Sequence, residues 1–150
     1  MRKPDCIIVR VGELALKSEE VQVRWFATLV NNMHAALKQA GVKYDIEAER
    51  NRAYVYTKGI KKAEAVLRRI FGIFSVSKAW SCESQMESIV SLAVELARKR
   101  IRKGKSFAVR ARRTNAPFTS REIAEKAGSA IQETTHAKVN LGEPDVEVEI

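Results

Sequence analysis

KSFAVRARRTNAPFTSREIAEKAGSAI, residues 105–131, reads as a strand, a basic loop and a helix in succession. Phe107, Val109 and Ala111 alternate with Ala108, Arg110 and Arg112, the two-residue period of a β-strand, which places both arginines on one face. Thr119-Ser120-Arg121-Glu122 has capping-box spacing. Ile123, Ala124, Ala127, Ala130 and Ile131 then recur at helical intervals, and Gly128 among them predicts close packing against a neighbour. Upstream, Met86, Ile89, Val90, Ala93, Leu96, Ala97 and Ile101 mark another helix, stopped at Gly104. Downstream, residues 139–141 and 146–150 predict strands around the turn Gly142-Glu143-Pro144-Asp145.

The N-terminal half has a different order. Cys6–Val11 (CIIVRV) is a short β-branched run of the kind buried in a sheet. Ser18 offers an N-cap, with Glu19 and Glu20 in the first turn after it. Val21, Trp25, Phe26, Leu29, Met33, Leu37 and Ala40 follow at helical spacing, and Gly41 closes that helix. Residues 42–48 and 53–57 predict two strands across the polar turn Glu49-Arg50-Asn51. Ala63, Val66, Leu67 and Ile70 predict a shorter helix, and residues 71–76 lead into a last strand. This β-α-β-β-α-β order is the split βαβ ferredoxin-like arrangement. The chain is therefore expected to be α+β, with a ferredoxin-like domain over 1–78 and a second α/β domain over 79–150.

Composition narrows the function. The 150 residues carry a net charge of +9 and are 45% hydrophobic, enough apolar content for a core. No apolar run approaches the roughly 20 residues of a membrane helix, and the N-terminus lacks the pattern of a signal peptide; a cytoplasmic protein with no membrane partner is expected. Cys6 and Cys82 lie far apart, and neither they nor His34 and His136 have metal-ligand spacing, so no metal and no cofactor is expected. Cys6 reads as a buried small hydrophobe.

The positive charge is clustered. Arg98, Lys99, Arg100, Arg102, Lys103, Lys105, Arg110, Arg112 and Arg113 come with no acid among them, whereas Glu143, Asp145, Glu147 and Glu149 gather at the end. A stretch of that density attracts polyanions, nucleic acid being the usual one. Guanidinium forks on the strand and backbone amides at the following helix start are the two donor types that hold phosphate. Phe118 offers either a surface on which an unpaired base stacks or a hydrophobic staple for the helix start.

Residues 107–131 and 139–150 resemble the THUMP domain of tRNA 4-thiouridine synthetases, sulfur-transfer enzymes of tRNA modification that also serve thiamine synthesis in some bacteria. IIVRVGELALKSEEVQVRWFATLVNNMHAAL, residues 7–37, is similar to the start of the same enzymes' ferredoxin-like domain. The resemblance implies that the two domains hold the acceptor stem and single-stranded 3′ end of tRNA. Carried over by position, it implies RNA contacts from Arg110, Arg112, Arg113, Phe118, Thr119, Ser120 and Arg121, with Lys105 as a further phosphate contact. In the first domain the matching stretch falls on Arg10, Gly12, Glu13 and Lys17, of which Arg10 and Lys17 are the candidate contacts. Here the chain departs from the family: Ser18-Glu19-Glu20-Val21 replaces the usual glycine and asparagine, and two acids there repel phosphate.

The family's catalysis uses a glycine- and serine-rich phosphate loop after the THUMP domain, and no such loop, P-loop or GxGxxG occurs in these residues. No catalytic residue is therefore assigned, and the chain is expected to be no enzyme by itself, working with a separate catalytic subunit or domain. The family's THUMP domain also continues with another strand, which implies an incomplete sheet edge at residues 146–150 that could pair in a homodimer. Another reading stays open: a protein-interaction adaptor whose basic face binds an acidic partner or a separate catalytic subunit. Competition with tRNA would separate the two.

Overall fold

The computed structural model describes residues 2–12, 18–112 and 115–150. The chain divides into two compact units, Met1–Ser81 and Cys82–Ile150. The first contains β1 (Cys6–Val11), α1 (Glu19–Gln39), β2 (Asp45–Glu49), β3 (Arg52–Tyr56), α2 (Ile60–Leu67) and β4 (Ile73–Ala79). The second contains α3 (Met86–Arg100), β5 (Ser106–Arg110), α4 (Ser120–Thr135), β6 (Lys138–Val139) and β7 (Val146–Glu149).

In the first unit the strands form one antiparallel sheet in the order β2-β3-β1-β4. The most apolar strand is thus an inner one, and Ile7 and Val9 are wholly buried. Helix α1 follows its sequence signals at both ends. The Ser18 hydroxyl accepts the Val21 amide at 3.4 Å. At the other end Gly41 takes φ +68, its N–H donates to the Lys38 carbonyl, and the Val42 N–H donates to the Leu37 carbonyl. That is a Schellman closure, and it moves the next strand. Val42, read from sequence as the start of β2, packs instead into the core with Leu37, and β2 begins at Asp45. Leu29, Met33 and Leu37 of α1 are buried at four-residue spacing.

Helix α2 ends before Ile70, and the chain turns through Gly72 at φ +96. A Cβ on Gly72 would lie 2.7 Å from the Trp25 ring, so the turn depends on glycine twice, for its dihedral and for its space. Cys6 is buried as expected, and burial, with Asp5 and Glu47 nearby, pushes its thiol up to about 11.

The second unit is a parallel sheet, β6-β5-β7, with β5 in the middle. Ala93 and Ala97 of α3 and Ala127 of α4 are small enough to let the helices approach closely over Phe107, which is fully buried. Val146 and Val148 of β7 complete this core. Gly128 faces Val109 Cγ2, and a Cβ there would meet it at 3.9 Å, an ordinary contact. One sequence expectation needs correction: Ala108 does not share an open face with the arginines. It is fully buried, as the inner strand of a parallel sheet requires, and Arg110 is the exposed residue of β5.

Candidate nucleic-acid interface

Strand β5 separates the basic stretch into two ends. Lys105 precedes the strand and Arg112 follows it, and seven residues of extended chain span about 23 Å. Arg98, Arg100, Arg102 and Lys103 belong to the same end as Lys105. The opposite end, where β5 runs into the α4 N-terminus, is where Arg110, Arg112, Phe118, Thr119, Ser120 and Arg121 gather. Arg113 lies outside the described residues, as do Glu13 and Lys17 of the first unit.

Acids in β7 and just before it occupy some of these cations. Lys105 Nζ is 2.8 Å from Asp145 Oδ1, and the Ser106 amide and hydroxyl both donate to Asp145 Oδ2 at 2.8 Å. The Lys105 ammonium, then the Ser106 donors, hold the Asp145 carboxyl well below the usual carboxylate range. Arg110 Nη2 donates to the Leu141 carbonyl at 2.6 Å, and its Nε lies 3.6 Å from Glu147 Oε2. The register sets Ala108 beside Glu147 and Arg110 beside Glu149, so Glu147 meets Arg110 along the diagonal. Arg121 Nε donates to Glu125 Oε1 at 2.7 Å on the exposed side of α4.

Arg112 differs. Its backbone N–H donates to the Ile150 carbonyl at 2.7 Å and the Ile150 N–H donates to the Arg110 carbonyl at 2.9 Å, so β5–β7 pairing continues past Arg110. The backbone is therefore anchored while the Arg112 side chain is exposed, and it makes no ion pair among the described residues.

The capping box forms as its spacing predicts. Thr119 Oγ1 accepts the Glu122 N–H at 3.1 Å, and Glu122 Oε2 accepts the Thr119 N–H at 2.6 Å. The Thr119 amide, and after it the Thr119 hydroxyl, lower the pKa of the Glu122 carboxyl. This narrows what the helix start can offer an anion. The amides of Thr119 and Glu122 are occupied, a carboxylate stands beside them, and the amides of Ser120 and Arg121 remain without an intrahelical acceptor. Phe118 is half-buried, with part of its ring accessible. In the first unit, the half-buried Arg10 donates from Nη1 to Ser77 Oγ at 3.3 Å. Among the described residues no cluster of His, Cys, Asp or Glu could hold a metal, and no helix is long and apolar enough to cross a membrane.

Sequence reasoning missed the neutralisation of Arg110 and Lys105. The signal was the two-residue period of Asp145, Glu147 and Glu149, which complements the basic strand once the two lie side by side.

Residues 6–77 match the ThiI ferredoxin-like domain, and residues 83–150 match the THUMP domain. The chain belongs to the family that joins these two domains. A probable tRNA sulfurtransferase of Thermococcus kodakarensis is 39% identical over 150 residues, covering 95% of this chain and 39% of that protein. One from Methanosarcina acetivorans is 36% identical, covering 97% of this chain and 37% of that protein. The chain thus spans about two fifths of the length of the curated relatives it matches. A solved Pyrococcus horikoshii protein superposes with a TM-score of 0.81 at 34% identity, over 97% of this chain and 50% of that one. A 4-thiouridine synthetase solved with RNA and ATP shares the fold at a TM-score of 0.72 and 20% identity, over 98% of this chain and 38% of that one. The carboxyl end of β5 and the start of α4, where the exposed Arg112 lies, form the candidate interface of the THUMP domain.

Asp145 ties that domain's β5 to its β7, and its titration is testable. Its folded-state pKa lies below the ordinary value of about 4, so its stabilising contribution is present above that value. The contribution is lost as pH falls through the lower, folded-state value. Urea midpoints measured against pH should fall more steeply below about pH 4 for the wild type than for Asp145→Asn. Parallel profiles would mean that the carboxylate is not coupled to folding.

Proposed function

We propose that this chain is a tRNA-binding module which holds the acceptor stem and single-stranded 3′ end of tRNA for a uridine-thiolation enzyme. The observation that carries the reading is the exposed Arg112 guanidinium at the carboxyl end of a parallel strand, beside the start of α4. That end of a parallel sheet is where open α/β folds bind ligands, because strand ends and helix N-termini converge there. Arg112 supplies the phosphate fork, the Ser120 and Arg121 amides supply oriented N–H groups, and Phe118 supplies a ring for an unpaired base. The names of the relatives, tRNA sulfurtransferases, supply the RNA class. Catalysis belongs in this reading to a separate domain or subunit, and the chain contributes binding.

The test compares intact tRNA with a copy trimmed of its terminal single-stranded nucleotides by filter binding over a salt series. The intact molecule should bind more tightly. Arg112→Ala should make the slope of log affinity against log salt shallower by about 0.7–0.9, the contribution of one phosphate contact. Lys105→Ala, which removes a cation already paired with Asp145, should change it less. Equal affinities for both tRNAs would remove end recognition, and an unchanged slope would place Arg112 outside the interface. Failure to bind either tRNA would leave the adaptor reading in its place.

A further inference from the structure

Two phenylalanines of the ferredoxin-like domain, at the entry to its last strand, stand in solvent. Phe71 is 94% exposed and Phe74 is 80% exposed. Each owes its position to a local irregularity. Phe71 precedes Gly72, whose positive φ is fixed beneath the Trp25 ring. Phe74 sits at a β-bulge, where Arg10 pairs with Ser75 but Val11 pairs with Ile73, so that Phe74 has no partner of its own. Counting back from the buried Val76 by twos would put Phe74 on the core side. The extra residue gives that place to Ile73, which packs against the core. A bulge and a positive-φ glycine within three residues thus turn both rings outward.

Along the segment that carries the pair, the charge is of one sign. No acidic residue occurs between Glu64 and Glu83, while Arg68, Arg69 and Lys78 fall inside that interval. Glu64 is shared by Arg68 at 2.8 Å and Lys78 at 3.0 Å, which leaves these three residues net positive, and Arg69 adds another cation. The bulge also lies directly beside Arg10, a candidate RNA contact. Exposed rings flanked by cations match a single-stranded nucleic acid, whose bases stack on the rings while its phosphates meet the charges. An acidic protein partner would satisfy the cations but would have no need of two flat faces.

We propose that Phe71 and Phe74 form a base-stacking platform for unpaired nucleotides of the bound RNA, a contact separate from the THUMP-domain interface. The proposal rests on the RNA-binding reading above, and the experiment separates the two. Affinity is measured for tRNA and for an oligoadenylate of about 12 nucleotides, within the span such single-strand sites cover. The proteins are the wild type, Phe71→Leu/Phe74→Leu and Phe71→Tyr/Phe74→Tyr. Leucine keeps the apolar surface and removes the aromatic face; tyrosine keeps both. Because both rings lie outside the core, thermal unfolding should be unchanged in each variant. The leucine pair should bind oligoadenylate roughly tenfold or more weakly, at an unaltered salt slope, and the tyrosine pair should bind like the wild type. A leucine pair that binds as the wild type does overturns the platform and leaves the RNA-binding reading standing. A wild-type chain that binds neither RNA overturns both.

Discussion

Replacing Phe107 by alanine is expected to destabilise the THUMP domain by about 3–5 kcal/mol, the cost of removing a phenyl ring from a close-packed interior. Phe107 is the largest fully buried side chain, and it sits where α3, α4 and the parallel sheet meet. Three residues that the helices bring to that core, Ala93, Ala97 and Ala127, have no side-chain length with which to refill the space, beside the larger Ile131. The cost therefore belongs near the top of that range rather than near the bottom. Urea unfolding, together with amide exchange of β5 and α4, measures it. A loss below about 1 kcal/mol would mean that the helices collapse onto the sheet after all.

The second large effect is expected at Gly72. Alanine there meets two penalties at once. A non-glycine residue held at φ +96 carries backbone strain of about 1–3 kcal/mol. Its Cβ would also stand 2.7 and 2.8 Å from two Trp25 ring carbons, and overpacking of that kind costs about 1–3 kcal/mol. The indole cannot bend away from the contact; it must move as a plate or push the turn outward. Gly72→Ala should therefore cost about 2–6 kcal/mol in urea unfolding and shift Trp25 fluorescence. Trp25→Phe in the same background should recover part of the loss, because the smaller ring withdraws from the added methyl. A neutral Gly72→Ala would show that the turn relaxes without cost.

Both sites show what local sequence carries. The β5-to-α4 passage was legible down to its capping box, because Thr119 and Glu122 are three residues apart and bond each other. The Ser18 cap and the Gly41 closure of α1 were legible for the same reason. What was not legible depends on distant partners or on broken periodicity. Arg110 reads as an open cation until β7 is laid beside it, nearly forty residues further along the chain, with Glu147 at 3.6 Å. The outward turn of Phe74 was not legible because a two-residue alternation contains no mark for a bulge. Val42 reads as strand because apolarity does not distinguish a sheet residue from the closing residue of a helix. Of the candidate contacts, the structure places Arg112 in the open and leaves Lys105 and Arg110 neutralised within their own domain.

The position of β1 governs how the ferredoxin-like domain can be made. It leaves the ribosome before the other strands of its own sheet, yet it lies inside that sheet, with Cys6 paired to Tyr56 on one side and to Ala79 on the other. Neither neighbour exists until fifty and then over seventy residues more have been synthesised. The nascent apolar segment CIIVRV therefore waits unpaired, with both edges exposed. Helix α1, whose bonds are local, can form during that interval and give Ile7 and Val9 an apolar surface to rest against. Vectorial synthesis thus makes the long helix an early shelter for a strand whose partners arrive last.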